Sequence, residues 1–136
     1  SIGLEEEKFR KNIYMSAVCR CYPGKNTSGT GDRLPTEVEI KKCSKWLDYE
    51  IDTLKPKLII PVGKLAISQF IIFDKLNDVV GKKIIYKKSK RNISIVALPH
   101  PSGLSTWYKK EPGKSLLYEA LKKIKNNDEW KLILKK

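Results

Sequence analysis

The run Lys57-Leu58-Ile59-Ile60-Pro61-Val62-Gly63, followed after Lys64 by Leu65-Ala66-Ile67-Ser68-Gln69-Phe70-Ile71, constrains the fold more than any other stretch of this chain. An apolar run of that length reads as a strand buried on both faces, and Gly63 can turn it directly into a helix. The pair is a βα unit. Residues 83–86 and 93–98 read as two further strands joined by a basic turn, and residues 113–124 as a closing amphipathic helix. This alternation predicts a three-layer α/β/α domain with a short, mainly parallel sheet. The ligand site of such a sheet lies at the carboxyl ends of its strands.

Two more elements follow from local chemistry. Thr36 and Glu39 form an S/T-x-x-E capping box, and Val38, Cys43, Trp46, Leu47, Ile51 and Leu54 trace a 3.6-residue stripe that stops before Pro56, predicting a helix between them. Residues 12–18 have strand composition and run into a Gly-, Ser-, Thr- and Asn-rich loop from Cys21 to Pro35. A loop longer than about 12 residues is expected to be either a lid facing a ligand or a mobile insertion. Cys21, Gly63 and His100 each fall just past a predicted strand end, so the fold is expected to gather them on one rim.

The chain has 136 residues, 40% of them hydrophobic, which fits a single domain over 1–136. It contains no run of ~18 apolar residues, and Ser1-Ile2-Gly3-Leu4-Glu5-Glu6-Glu7 lacks the parts of a signal peptide. A cytoplasmic location without a membrane partner is the expectation. The absence of an initiating Met points to a trimmed or excised part of something longer.

Charge narrows the partner. Twenty-eight Lys and Arg stand against 15 Asp and Glu, a formal +13, far beyond what solubility requires, and a polyanion such as nucleic acid is the first partner to consider. The excess gathers at Lys82-Lys83, Lys87-Lys88-Ser89-Lys90-Arg91, Lys109-Lys110 and the tail ending Lys135-Lys136. A single such run is more often a solvated face. The middle two, however, bracket Leu98-Pro99-His100-Pro101-Ser102-Gly103-Leu104-Ser105, which holds the only histidine of the chain. Prolines on both sides fix φ and remove backbone donors, so the imidazole would leave the strand end in one preset direction. A satisfied His at a turn is the bland alternative.

Four ordered blocks carry a resemblance: a strand ending at Cys-x-Pro-Gly, a helix with a Cys before Trp-Leu, a buried strand with Pro-Val-Gly-Lys-Leu-Ala, and Leu-Pro-His-Pro-Ser-Gly-Leu-Ser. Together, from about Leu4 to Ile124, they resemble the C-terminal two-thirds of the uracil-DNA glycosylase superfamily, closest to its iron–sulfur, family-4-like branch. The resemblance implies a DNA-repair N-glycosylase of base excision repair that binds DNA, flips a damaged base and hydrolyses its N-glycosidic bond. His100 would stabilise charge on the departing base, which suits a donor aimed at a developing oxyanion in a dry pocket. Leu104 would be the wedge that fills the gap left by the extruded nucleotide. Ser102, Gly103 and Ser105 would hold phosphates, and Lys25, Lys90, Arg91, Lys109 and Lys110 would extend the DNA-binding surface.

By the same resemblance, Cys21 and Cys43 match two of the four thiolate ligands of a [4Fe–4S] cluster, the other two lying before the matched region. Cys19, two residues from Cys21, would face the other side of its strand and is not assigned. Cysteines in a reducing compartment are otherwise small buried hydrophobes.

The chain also departs from the family. The Gly-Glu-Ala-Pro-Gly-type loop after the first strand has no counterpart here. The asparagine that reads the uracil edge is replaced by Ala17, which offers no donor or acceptor, leaving Ser16 or a residue outside the chain to line the base pocket. The family's first strand, in the middle of the sheet, would be missing. The lone chain is then expected to pair the flanking strands differently, to associate with another chain, or to be part of a protein whose N-terminal segment completes the sheet. The alternative function is a non-catalytic basic nucleic-acid-binding module of the same fold. A small-molecule α/β hydrolase lacks a nucleophile elbow.

Overall fold

The structure, a computed structural model, describes residues 3–102 and 105–136. In chain order its elements are α1 (Glu6–Asn12), α2 (Glu37–Leu54), β1 (Leu58–Ile59), α3 (Lys64–Ser68), β2 (Ile84–Lys88), β3 (Arg91–Ile95), α4 (Gly113–Asn126) and α5 (Asp128–Lys135). Single 3₁₀ turns lie at Leu76–Asp78 and Trp107–Lys109. The chain divides into two compact units, Met15–Lys55 and Ser1–Tyr14 with Pro56–Lys136.

The larger unit is α/β, as the hydrophobic pattern predicts. Its three-stranded sheet has the order β1-β3-β2, with β1 parallel and β2 antiparallel to β3. The central strand is covered on both faces: Ile93 and Ile95 point one way, Val96 the other, and all three are fully buried. Past β1 the parallel pairing continues, Leu98 N–H donating to the Pro61 carbonyl at 2.9 Å and Gly63 N–H to the Leu98 carbonyl at 2.9 Å. At the other end of β3, Ser89 and Lys90 both adopt positive φ, 49° and 65°, as a two-residue hairpin turn matched to the strand twist requires.

Helices close the core. Ile67 of α3, Ala120 and Ile124 of α4 and Trp130 of α5 pack with Val80, Val96 and Ala97, and Phe9 of α1 lies against them. α5 forms in the basic tail, where the charge pattern alone predicts no element. Asn127 caps this helix, its Oδ1 accepting from Glu129 N–H at 3.0 Å, and Trp130 anchors it in the core.

Two expected elements differ. Residues 12–18 are not a strand: α1 runs to Asn12 and residues 13–18 are irregular. β-branched composition makes a strand only where a neighbouring edge supplies hydrogen bonds, and among the described residues β1 pairs with β3 alone. The helix after Gly63 is also shorter than its apolar run. It ends at Ser68 and tightens through a bond from Phe70 N–H to the Ile67 carbonyl.

In the smaller unit the capping box forms as predicted, Thr36 Oγ1 accepting from Glu39 N–H at 3.3 Å and Glu39 Oε2 accepting from Thr36 N–H at 2.7 Å. Lys55 ends α2 in the left-handed region, and Pro56 cannot continue it. The apolar stripe is only partly covered, Ile51 being buried while Val38, Trp46 and Leu54 remain more than half exposed. A unit this small cannot cover a whole helix face. Residues 21–35 are stitched rather than loose. Lys25 pairs with Asp32 as a β-bridge, Arg33 N–H donates to the Gly24 carbonyl, and Tyr22 Oη donates to Asp32 at 2.9 Å. No helix of the described residues is long and apolar enough to cross a membrane.

Candidate active-site loop

The paired chain ends beyond β1 and β3 build the site. Because Leu98 is hydrogen-bonded on both sides to the Pro61–Gly63 segment, the chain leaves the sheet at a fixed point, through buried Pro99 to exposed His100. Ser102 N–H then donates to His100 Nδ1 at 3.1 Å. A nitrogen that accepts is unprotonated, so the neutral ring carries its hydrogen on Nε2, and that N–H is the donor the loop presents.

Gly63 lies against the same ring. A Cβ at Gly63 would stand 3.3 Å from His100 Cδ2 and 3.4 Å from its Cβ. The expectation that Gly63 and His100 share a rim is therefore met by direct contact. Cys21 belongs to the other unit.

Beyond His100 the loop returns through a bond from Ser105 N–H to the Ser102 carbonyl at 3.0 Å. Gly103 and Leu104, the latter the expected wedge, lie outside the described residues. Trp107 Nε1–H donates to Asn77 Oδ1 at 2.7 Å, tying the end of the loop to the 3₁₀ turn at Leu76–Asp78. A cleft of about 430 Å³ opens there between Lys64, Asp74, Lys75, Asn77, Ser105 and Trp107. Exposed Lys109 and Lys110 follow, with Lys109 Nζ 5.8 Å from the centre of the Tyr108 ring.

Lys90 and Arg91 sit elsewhere. They form the hairpin end of β3, at its amino terminus, whereas His100 lies past its carboxyl terminus. The two basic clusters bracket the histidine in sequence, but only Lys109–Lys110 continues from its loop.

The remaining expected residues belong to the smaller unit. Ser16 and Ala17 are exposed on the irregular segment, and the Ser16 hydroxyl donates to Glu50 Oε2 at 2.7 Å while accepting from Arg20 at 2.9 Å. Arg20 and Glu50 also form an ion pair. The Ser16 hydroxyl is thereby engaged within its own unit. Lys25 is exposed on the stitched loop.

The cysteines differ from the reading that set Cys19 aside. With no strand at 12–18, alternation does not point Cys19 away, and its thiol meets that of Cys43. The Arg20 backbone N–H, then the Cys19 thiol and the Cys21 backbone N–H, hold the Cys43 thiol below its ordinary value against the opposing effect of burial. Burial, then the neighbouring Cys43, pushes Cys19 up. Cys21 is exposed. A four-iron cluster takes four thiolates or a substitute ligand, and among the described residues no three His, Cys, Asp or Glu side chains gather to hold a metal. The residues of this chain do not by themselves fit such a cluster.

Glu39 is perturbed as well. The Arg33 guanidinium, bonded through both nitrogens at 2.9 and 2.7 Å, and the Thr36 backbone N–H hold its carboxyl down at about 2.

Comparison with known proteins gives the family. A model of the uracil DNA glycosylase superfamily matches residues 1–125. A type-4 uracil-DNA glycosylase of Archaeoglobus fulgidus is 28% identical over 110 residues, 76% of this chain and 50% of its own length. A type-4 uracil-DNA glycosylase of Sulfurisphaera tokodaii is 30% identical over 107 residues, 74% of this chain and 44% of its own. A type-5 uracil-DNA glycosylase of Pyrobaculum aerophilum is 32% identical over 54 residues, 40% of this chain and 21% of its own. The chain spans half or less of the length of these curated relatives. With the family model covering nearly its whole length, the chain belongs to the uracil DNA glycosylase superfamily.

Proposed function

We propose that this chain carries the leaving-group half of a DNA-repair N-glycosylase site, with His100 donating from Nε2 to the base as its glycosidic bond breaks. The observation that supports this most is the bond from Ser102 N–H to His100 Nδ1. A neutral imidazole with a fixed tautomer donates a hydrogen bond to an oxygen gaining charge without having to reorient. Ser102, Ser105, Lys109 and Lys110 would take phosphates of the same strand, and Leu104 would enter the base stack.

A second reading, a binding module of the same fold without catalysis, is favoured by one specific observation. Ala17 stands where the resemblance places an amide, and the Ser16 hydroxyl beside it is already bonded to Glu50 and Arg20. Oligonucleotides carrying uracil, hypoxanthine or xanthine, single-stranded and duplex, separate the readings. The glycosylase reading expects release of at least one base by the chain and a loss of about 10²- to 10³-fold in His100→Ala, the usual cost of one such donor. Binding without release of any base supports the module instead, and equal release by both proteins removes His100 from the chemistry.

A further inference from the structure

The geometry points to Gly63 as the residue that positions His100: its missing side chain lets the imidazole lie on the strand-end backbone, where the Ser102 N–H can reach Nδ1. This rests on the reading of His100 as the donor. Gly63 is buried, with φ 85° and ψ 160°, a region that residues with a Cβ rarely adopt. Its N–H is bonded to the Leu98 carbonyl, two residues before His100, so the site cannot slide along the strand. The ring is then held from two directions, by the flat backbone of Gly63 and by the Ser102 amide. A methyl at position 63 would sit 3.3 Å from Cδ2, tighter than carbon atoms normally pack, and in contact with Cβ at 3.4 Å. The ring has to tilt, and its 3.1 Å bond to Ser102 has little slack. Losing that bond releases the tautomer, so the defect reaches the chemistry through His100.

The chain suits the test because His100 is its only histidine, and every imidazole signal belongs to it. In the ¹⁵N-histidine-labelled chain, a nuclear Overhauser effect between the Gly63 α-protons and His100 Hδ2 is expected, with Nδ1 showing the shift of an unprotonated nitrogen and Nε2 that of a protonated one. Gly63→Ala is expected to move both nitrogen shifts toward the mixed-tautomer average and to lower kcat for base release by about 10- to 100-fold with KM for DNA unchanged. In a His100→Ala background the same substitution should cost nothing further. Gly29→Ala serves as the strain control: Gly29 also has positive φ, 72°, but nothing lies within 4 Å of its absent side chain, so the His100 signals should stay in place. The proposal is overturned if the Overhauser effect is missing in the unmodified chain, a measurement that does not depend on the variant folding. It is equally overturned if Gly63→Ala leaves the nitrogen shifts unchanged, or costs as much without the imidazole as with it. Full base release by His100→Ala alone would sink the excision reading instead, while the Overhauser effect and nitrogen shifts still decide the positioning.

Discussion

A side-chain carbon at Gly113 would stand 2.1 Å from the carbonyl oxygen of Trp107. The first residue of α4 is thus pressed on the 3₁₀ turn that ends the histidine loop, and the contact is with backbone, which cannot swing away. Gly113→Ala is expected to destabilise the chain by about 3 kcal/mol, the upper part of the overpacking range. Urea unfolding checks it, and an unchanged midpoint would refute the contact.

The bond from Trp107 to Asn77 holds the same turn from its other side. Asn77→Ala removes the acceptor and is expected to cost about 1 kcal/mol, with faster amide exchange at Ser105 and Lys109. Asn77→Asp keeps an oxygen at that position and should restore most of the protection. Equal loss in both variants would mean that the bond does not hold the loop.

Acid sensitivity follows from Glu39. Its carboxyl is held at about 2 in the folded chain, against an ordinary 4.5, first by Arg33 and then by the Thr36 N–H. Between these values the unfolded chain binds the extra proton, so stability rises with pH there. The contribution is complete above about 4.5 and is lost as pH falls toward about 2. Glu39→Gln should flatten this part of a stability-against-pH curve measured by denaturant titration. A curve of unchanged slope would show that the Arg33 pairing does not persist in solution.

Trp130 anchors a helix of eight residues with 2% of its surface exposed. Trp130→Ala is expected to cost about 3–5 kcal/mol, and loss of the Asn127 cap in Asn127→Ala about 1 kcal/mol. Calorimetry distinguishes the two, since a cap loss frays α5 and a core loss lowers the melting temperature of the whole larger unit.

For DNA, neutralising one phosphate-contacting lysine lowers the slope of log binding constant against log salt concentration by about one. Lys109→Ala and Lys110→Ala should each do so if both touch phosphate. Slopes equal to that of the unmodified chain would place the DNA elsewhere.

Much of the framework was legible because each element had a local physical cause. The Thr36–Glu39 box, the double-sided burial of β3, the turn at Gly63 and the hairpin of residues 84–95 all follow from side chains close in sequence. What failed needed partners far away. Residues 12–18 have the composition of a strand but no described edge to pair with, and the Cys19 thiol meets that of Cys43, 24 positions away. The tail helix was hidden by its lysines, although Asn127-Asp128-Glu129 before Trp130 is a usable N-terminal signal. At the site, the histidine loop was visible from its prolines. The shared rim of Gly63 and His100 followed from their strand ends, but the contact of Asn77 with Trp107, thirty positions apart, did not.

The central strand also separates two electrical environments. From Arg91 to Leu98 an extended chain covers roughly 23 Å at about 3.3 Å per residue, nearly three times the distance of about 8 Å over which physiological salt screens a charge. Cations added or removed at the hairpin are therefore largely screened from the imidazole. Evolution or design can retune one end for grip without detuning the proton chemistry of the other.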